Sequence, residues 1–188
     1  QMFQYACARS LALRNNVKLK IDRRFFNNYK LHQGFQLNKV FNCKIDIATD
    51  SEINRIISWQ KNQNILKIIR NQYLKYFRNK NLIIEPTFKY WKKINSVNDN
   101  VYLYGYWQSE KYFKQFSHII REDFQFKSKV NTKNKKILKR ILNCNSISIH
   151  IRRGDYITEK KNSFLATCSV DYYLKAMNFI KKKITNPI

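Results

Sequence analysis

Apolar residues recur along this chain with two periods, helical and alternating, and their order sets the first expectations. From Met2 to Arg14 (MFQYACARSLALR) small and apolar side chains fill most positions without glycine or proline, which predicts a well-buried helix. Residues 17–21 alternate as a short strand closed by Asp22, whereas residues 22–49 scatter aromatics among polar groups with no period. From Asp50 to about Asn79, Ile53, Ile56, Ile57, Ile65, Ile68, Ile69, Tyr73 and Phe77 keep helical spacing. The opposite face carries Lys61, Lys67, Arg70, Lys75 and Arg78. Such a basic amphipathic segment either packs its stripe on a core or lies on an anionic membrane surface, and the first is the more common arrangement.

Residues 101–106 (VYLYGY) alternate as a strand, and Ser109 is placed to cap a helix running to about Arg121. Residues 133–142 predict a further helix, and residues 146–151 (SISIHI) a buried strand rich in β-branched side chains. A last helix over residues 170–183 sets Tyr173, Leu174, Met177 and Ile180 on one side. Strands alternating with helices indicate an α/β fold with a largely parallel sheet. There is no internal repeat. The lysine-rich stretch 127–136 is the expected boundary, giving domains 1–130 and 131–188.

Composition changes this picture little. With three glycines and two prolines among 188 residues, tight turns must rely on the 22 asparagines. The net charge of +25 is spread evenly, 19 basic and 6 acidic groups in residues 1–100 against 18 and 6 in residues 101–188. No basic arm is present, and the joint excess of Lys, Asn and Ile fits compositional drift on a solvated surface; the alternative is a field that attracts an anionic partner. Cys7, Cys43, Cys144 and Cys168 are widely spaced without a CxxC pair, so reduced thiols are expected, with neither a metal cluster nor a disulfide framework. No signal peptide and no apolar run approaching the roughly 20 residues of a membrane span is present. The chain opens at Gln1 inside a helical pattern and stops at Ile188 after an Asn-Pro turn, so it is expected to be a piece of a longer protein.

Polar functional groups concentrate in one place, residues 150–156, HIRRGDY. Ligands in open α/β sheets bind off the carboxyl ends of the strands, and here a strand delivers His150, Arg152, Arg153 and Asp155 to that edge. Guanidinium groups make bidentate contacts with phosphate oxygens, Asp155 can orient an arginine or accept from a sugar, and Gly154 lets the backbone turn. On residue types alone, an Arg–Asp pair stapling a turn fits as well as an anion site does. The Arg153-Gly154-Asp155 tripeptide also matches cell-adhesion ligands, but directly after an apolar strand it carries little weight. His32 and His118 stand without partners in the pattern and are expected to be structural.

HIRRGDY resembles the HxRRGDY motif of the α-1,2-fucosyltransferases, glycosyltransferase family 11. Residues 1–10 (QMFQYACARS) resemble that family's opening, residues 35–46 (FQLNKVFNCKID) an internal stretch, and residues 104–124 (YGYWQSEKYFKQFSHIIREDF) its GYWQS segment. Four motifs in the family's order span the whole chain. The resemblance implies a glycosyltransferase B-like fold of two Rossmann-like domains, the first on the acceptor side and the second, truncated here, holding GDP-fucose. It implies inverting, metal-independent transfer of fucose to a galactose 2-hydroxyl, with no cofactor beyond the donor. Carried onto this chain, Arg152 contacts the pyrophosphate and acts in catalysis, while His150, Arg153 and Asp155 line or brace the same site. The expected setting is the cytoplasm, at the inner face of the membrane where the glycan acceptor is lipid-linked.

Two departures bear on activity: the family's glycine-rich GLGN does not precede Gln1, and the second domain would hold a single strand. One strand does not make a stable parallel sheet, so the 188-residue chain by itself is expected to be inactive. The competing classes are a nucleic-acid binder, argued from charge and aromatic content, and a peripheral membrane protein without chemistry, argued from residues 50–79. Nucleic acid is not an expected partner, since no stretch matches a recognition motif.

Overall fold

The computed structural model describes residues 1–27, 33–151, 153 and 167–188. It forms two compact units, Gln1–Ser128 and Lys129–Ile188.

In the first unit, helix α1 (Met2–Arg14) buries Tyr5, Ala6, Cys7, Ser10, Leu11 and Ala12, as its unbroken run of helix formers predicts. Asn16 takes φ 52° and turns the chain sharply. Asn100 (φ 54°) and Asn186 (φ 47°) adopt the same left-handed conformation, the turn role expected of asparagine in a glycine-poor sequence. The strand expected over residues 17–21 is reduced to an extended segment with one parallel bridge, Ile21 to Ile47. Ile21 N–H donates to the Asp46 carbonyl at 2.8 Å and its carbonyl accepts from Ala48 N–H at 3.0 Å. The other edge of the segment has no backbone partner among the described residues, so no ladder forms.

After a single turn, α2 (Leu37–Val40), the segment 50–79 departs most from its pattern. It is four short pieces: α3 (Asp50–Ile57), a 3-10 turn, α4 (Gln63–Ile69) and a second 3-10 turn over Gln72–Phe77. Thr49 and Glu52 form a reciprocal capping box that starts α3. Ser58 at φ 51° ends the run, then Asn62 and Asn71 accept the free N–H groups of new turns. Ile53, Ile57, Leu66 and Ile69 pack with Leu82 as one core, while Ile68, Tyr73 and Phe77 lie on the surface, against expectation. Each break rotates the next piece, so one helical stripe cannot persist across it.

Strands β1 (Leu82–Ile84) and β2 (Tyr102–Tyr104) pair in parallel, with Leu82 opposite Tyr102 and Ile84 opposite Tyr104. One face packs on α3 and α4; the other meets a cluster of Cys7, Ile94, Trp107 and Tyr112. The helix expected from Ser109 is two 3-10 turns followed by α5 (Ser117–Asp123), and the Ser109 side chain caps nothing. Phe41 and Phe126 join in an antiparallel bridge that closes the unit.

The second unit contains α6 (Thr132–Leu142), capped by Asn131, and α7 (Val170–Lys181), capped by Ser169. Mixed helices and a small parallel sheet place the chain in the α/β class.

Candidate active site

Residues 146–151 form no strand ladder among the described residues, and Ile149 and Ile151 are about half exposed instead of buried. Their pairing is confined to the start: Asn145 bridges Pro187 in parallel, and Ile147 N–H donates to the Ile188 carbonyl at 2.8 Å. Helix α7 lies between these two parallel arms in sequence, the connectivity of a βαβ crossover. No described residue of this unit is fully buried, and among the described residues neither arm has a second backbone neighbour.

A 280 Å³ pocket separates the first arm from α7, lined by Ile147, His150, Tyr173, Ala176 and Ile180 among others. Tyr173 Oη reaches the His150 carbonyl at a long 3.5 Å. His150 and Arg153, at the carboxyl end of the arm, are both exposed. Arg152, Gly154 and Asp155 lie outside the described residues, as does His32, while His118 is exposed on α5.

The other three sequence motifs meet inside the first unit. Asp123 Oδ2 accepts from Tyr5 Oη at 2.8 Å and from Arg9 Nε at 3.0 Å. Tyr5 Oη in turn accepts from Lys44 N–H, Asn42 N–H donates to the Gln125 carbonyl, and the Cys43 thiol donates to the Asp123 carbonyl. Burial, reinforced by Asp123, pushes the Tyr5 phenol far above its ordinary range, so it remains a neutral donor. Gln1 bonds Gly34 and Gln36, and Gln4 donates to the Gly105 carbonyl at 2.8 Å. These motif residues weld α1 to the 35–46 and 104–124 segments.

Two further carboxylates, Glu85 and Asp22, organise the sheet and lie outside the four sequence motifs. Glu85 accepts from the N–H groups of Tyr106 and Trp107 at 2.7 and 3.0 Å, holding Trp107 at φ 56°. Asp22 receives Arg24 through two guanidinium nitrogens and Tyr102 Oη at 2.8 Å. Burial works to raise the Asp22 pKa, but these hydrogen bonds outweigh it and hold the carboxyl below its ordinary range. The Asp22–Arg24 spacing was the one available signal. Among the described residues no three His, Cys, Asp or Glu side chains gather as a metal-ligand set.

A small parallel sheet packed among helices is compatible with the α/β class. The profile of glycosyl transferase family 11 matches residues 1–188. The chain belongs to that family. It is 32% identical over 191 residues to an α-1,2-colitosyltransferase of Escherichia coli, covering 99% of this chain and 62% of that protein. It is 30% identical over 197 residues to the O-antigen biosynthesis glycosyltransferase WbnK of Escherichia coli, covering 96% of this chain and 64% of that protein. The chain thus spans under two thirds of the length of these relatives. No solved structure matches it significantly.

Proposed function

We propose that the protein, in its full length, is a galactoside α-1,2-fucosyltransferase that moves fucose from GDP-fucose to a galactose 2-hydroxyl of a glycan, with inversion and without a metal. The observation that carries this reading is the family match across the entire chain, HIRRGDY included. In this reading the chain has a glycosyltransferase B architecture of two Rossmann-like domains, the second continuing the βαβ unit around α7. The acceptor sits against the first domain and GDP-fucose against the second. The work site is the cytoplasmic face of the membrane if the glycan is lipid-linked, and the cytoplasm otherwise.

Departure of GDP builds negative charge on the β-phosphate while the sugar gains oxocarbenium character. A preorganised guanidinium stabilises that developing charge more than it stabilises the bound donor, so it lowers the barrier. Arg152 takes this role, with His150, Arg153 and Asp155 lining or bracing the same site. The 188-residue chain alone is proposed to be inactive, since its second unit buries no described side chain.

A second donor reading has its own support: the relative of 32% identity is named for colitose transfer. The test offers the full-length protein GDP-fucose and the corresponding colitose donor in turn, with lactose or N-acetyllactosamine as acceptor and no added metal. Turnover with GDP-fucose that is lost in Arg152→Ala supports the first reading. Turnover with colitose alone replaces the donor but keeps the enzyme class, and no turnover or GDP binding by a folded protein overturns both.

A further inference from the structure

Strands β1 and β2 run in parallel, so the segments that leave their carboxyl ends, residues 85–91 and 105–108, share one edge of the sheet. That is the edge at which open α/β sheets receive ligands. Phe88 and Tyr106 come together there, their ring centroids 5.9 Å apart and their planes tilted by 35°. Both rings are open to solvent, Phe88 at 72% and Tyr106 at 52% of full exposure. The backbone beneath each ring is nevertheless fixed. Tyr106 N–H and Trp107 N–H donate to the two Glu85 oxygens at 2.7 and 3.0 Å. Trp107, held at φ 56°, is buried in the core while its neighbour Tyr106 stays exposed. The buried Tyr112 ties down the segment that carries Phe88: its Oη accepts from Trp91 N–H at 2.9 Å and donates to the Lys89 carbonyl at 3.4 Å. A bulky residue at positive φ persists only where its surroundings over-determine it, and such places cluster at ligand sites.

We infer that Phe88 and Tyr106 form an aromatic platform for a sugar ring of the acceptor glycan, and that this platform favours sugars with an apolar face. The inference rests on the glycosyltransferase reading and deepens it. Exposed rings on a fixed backbone lose little conformational freedom on contact, since only two side-chain torsions per ring remain to be held. The π faces carry partial negative charge, and the C–H bonds of a pyranose, polarised by their oxygens, present positive hydrogens to them. Galactose suits such a platform better than glucose. Its axial hydroxyl leaves a run of adjacent C–H bonds on the opposite face, whereas in glucose neighbouring C–H bonds alternate between faces. Stacking on that face keeps the hydroxyl groups at the rim, in water or within reach of Gln108, which is exposed two residues beyond Tyr106. The donor fits this edge less well. The Glu85 carboxylate lies against the Tyr106 backbone, and its charge repels a diphosphate while leaving a neutral sugar unaffected.

The test uses the full-length protein and two readouts. Saturation-transfer NMR with N-acetyllactosamine reads acceptor contact without turnover. Initial rates, with whichever donor the protein turns over, read acceptor KM and donor KM separately. In the wild type, saturation should be strongest on the C–H protons of the galactose ring. Phe88→Ala and Tyr106→Ala should each remove most of that saturation and raise the acceptor KM about fivefold to tenfold, the scale of one aromatic contact, with the donor KM unchanged. Phe88→Leu keeps apolar bulk without a π face and should behave like the alanine variant, whereas Tyr106→Phe should behave like the wild type. Phe77→Ala, which removes an exposed ring elsewhere in the first unit, should change neither readout. Wild-type saturation in both alanine variants, or an equal rise in donor KM, would overturn the platform and leave the glycosyltransferase reading in place. Absence of both acceptor saturation and turnover in the wild type would overturn the galactoside reading, and the platform with it.

Discussion

Arg9 and Asp123 stand 114 positions apart in sequence and 3.0 Å apart in space, their side chains 14% and 6% exposed. The pair joins the first motif of the chain to the end of the third, and Tyr5 Oη completes it. Removing the carboxylate leaves a buried guanidinium and a buried hydroxyl without an acceptor. Breaking a buried pair from one side costs about 3–5 kcal/mol, so Asp123→Ala is expected to lower urea-unfolding stability on that scale. A loss below about 1 kcal/mol would mean that water replaces the carboxylate and the weld is superficial.

Gly105 occupies a place that tolerates no side chain. A Cβ there would collide with the Glu85 Cβ and come 2.9 Å from its carboxylate oxygen. Glu85 is itself fixed by the Tyr106 and Trp107 amides, so it cannot swing away without releasing Trp107 from φ 56°. Gly105→Ala should therefore cost about 1–3 kcal/mol, the range for overpacking a tight site. Pairing it with Glu85→Gly in a double-mutant cycle should recover part of the loss, since both the Cβ and the carboxylate in the way are then gone. Strict additivity would place the strain elsewhere.

Helix α1 was legible because its signal is local: nine good helix formers among thirteen residues, with neither glycine nor proline. The segment 50–79 was not, since Ser58, Asn62 and Asn71 look compatible with a polar helix face until their own hydrogen bonds compete with it. Strand β1 is three residues long and owes its conformation to pairing with β2, which no spacing rule encodes. For the site, HIRRGDY stood out by composition, whereas the Arg9–Asp123 and Glu85 contacts depend on tertiary closure over long stretches. The exposure of residues 149 and 151 also escaped the pattern, for burial of a strand requires neighbours on both sides.

The four thiols should separate cleanly by reactivity. Burial, aided by Glu85, pushes the Cys7 pKa up to about 12, and burial with Asp123 pushes Cys43 to about 11. Cys168 is exposed and Cys144 partly so. Because the thiolate is the reacting species, iodoacetamide at pH 8 should label Cys168 and Cys144 in the folded chain. Cys7 and Cys43 should react only after unfolding. Mass spectrometry of the labelled peptides checks this, and early labelling of Cys7 would contradict its place in the core.

Acid should weaken the first unit through Glu52 and Asp22. Glu52, hydrogen-bonded by Lys20 and by the Thr49 amide of its capping box, is depressed to about 2. Asp22 is depressed too, by Arg24 and Tyr102 against the opposing effect of burial. A carboxyl with a folded pKa below its unfolded value binds its proton more readily in the unfolded chain, so stability rises with pH through that interval. The contribution of each is complete above the ordinary carboxylate range near pH 4 and is lost as pH falls toward the folded value. Glu52→Gln and Asp22→Asn should each flatten the stability profile between about pH 4.5 and 2 while lowering its plateau at neutral pH. Asp22→Asn should have the larger effect at neutral pH, because it also strands the partly buried Arg24 and Tyr102 groups, whereas the Lys20–Glu52 pair is screened by solvent. Salt separates the two sites. Raising ionic strength to about 1 M shortens the screening length to about 3 Å, which should erase most of the Glu52 effect and spare most of that of Asp22. Identical salt sensitivity at both positions would show that Asp22 is as open to solvent as Glu52.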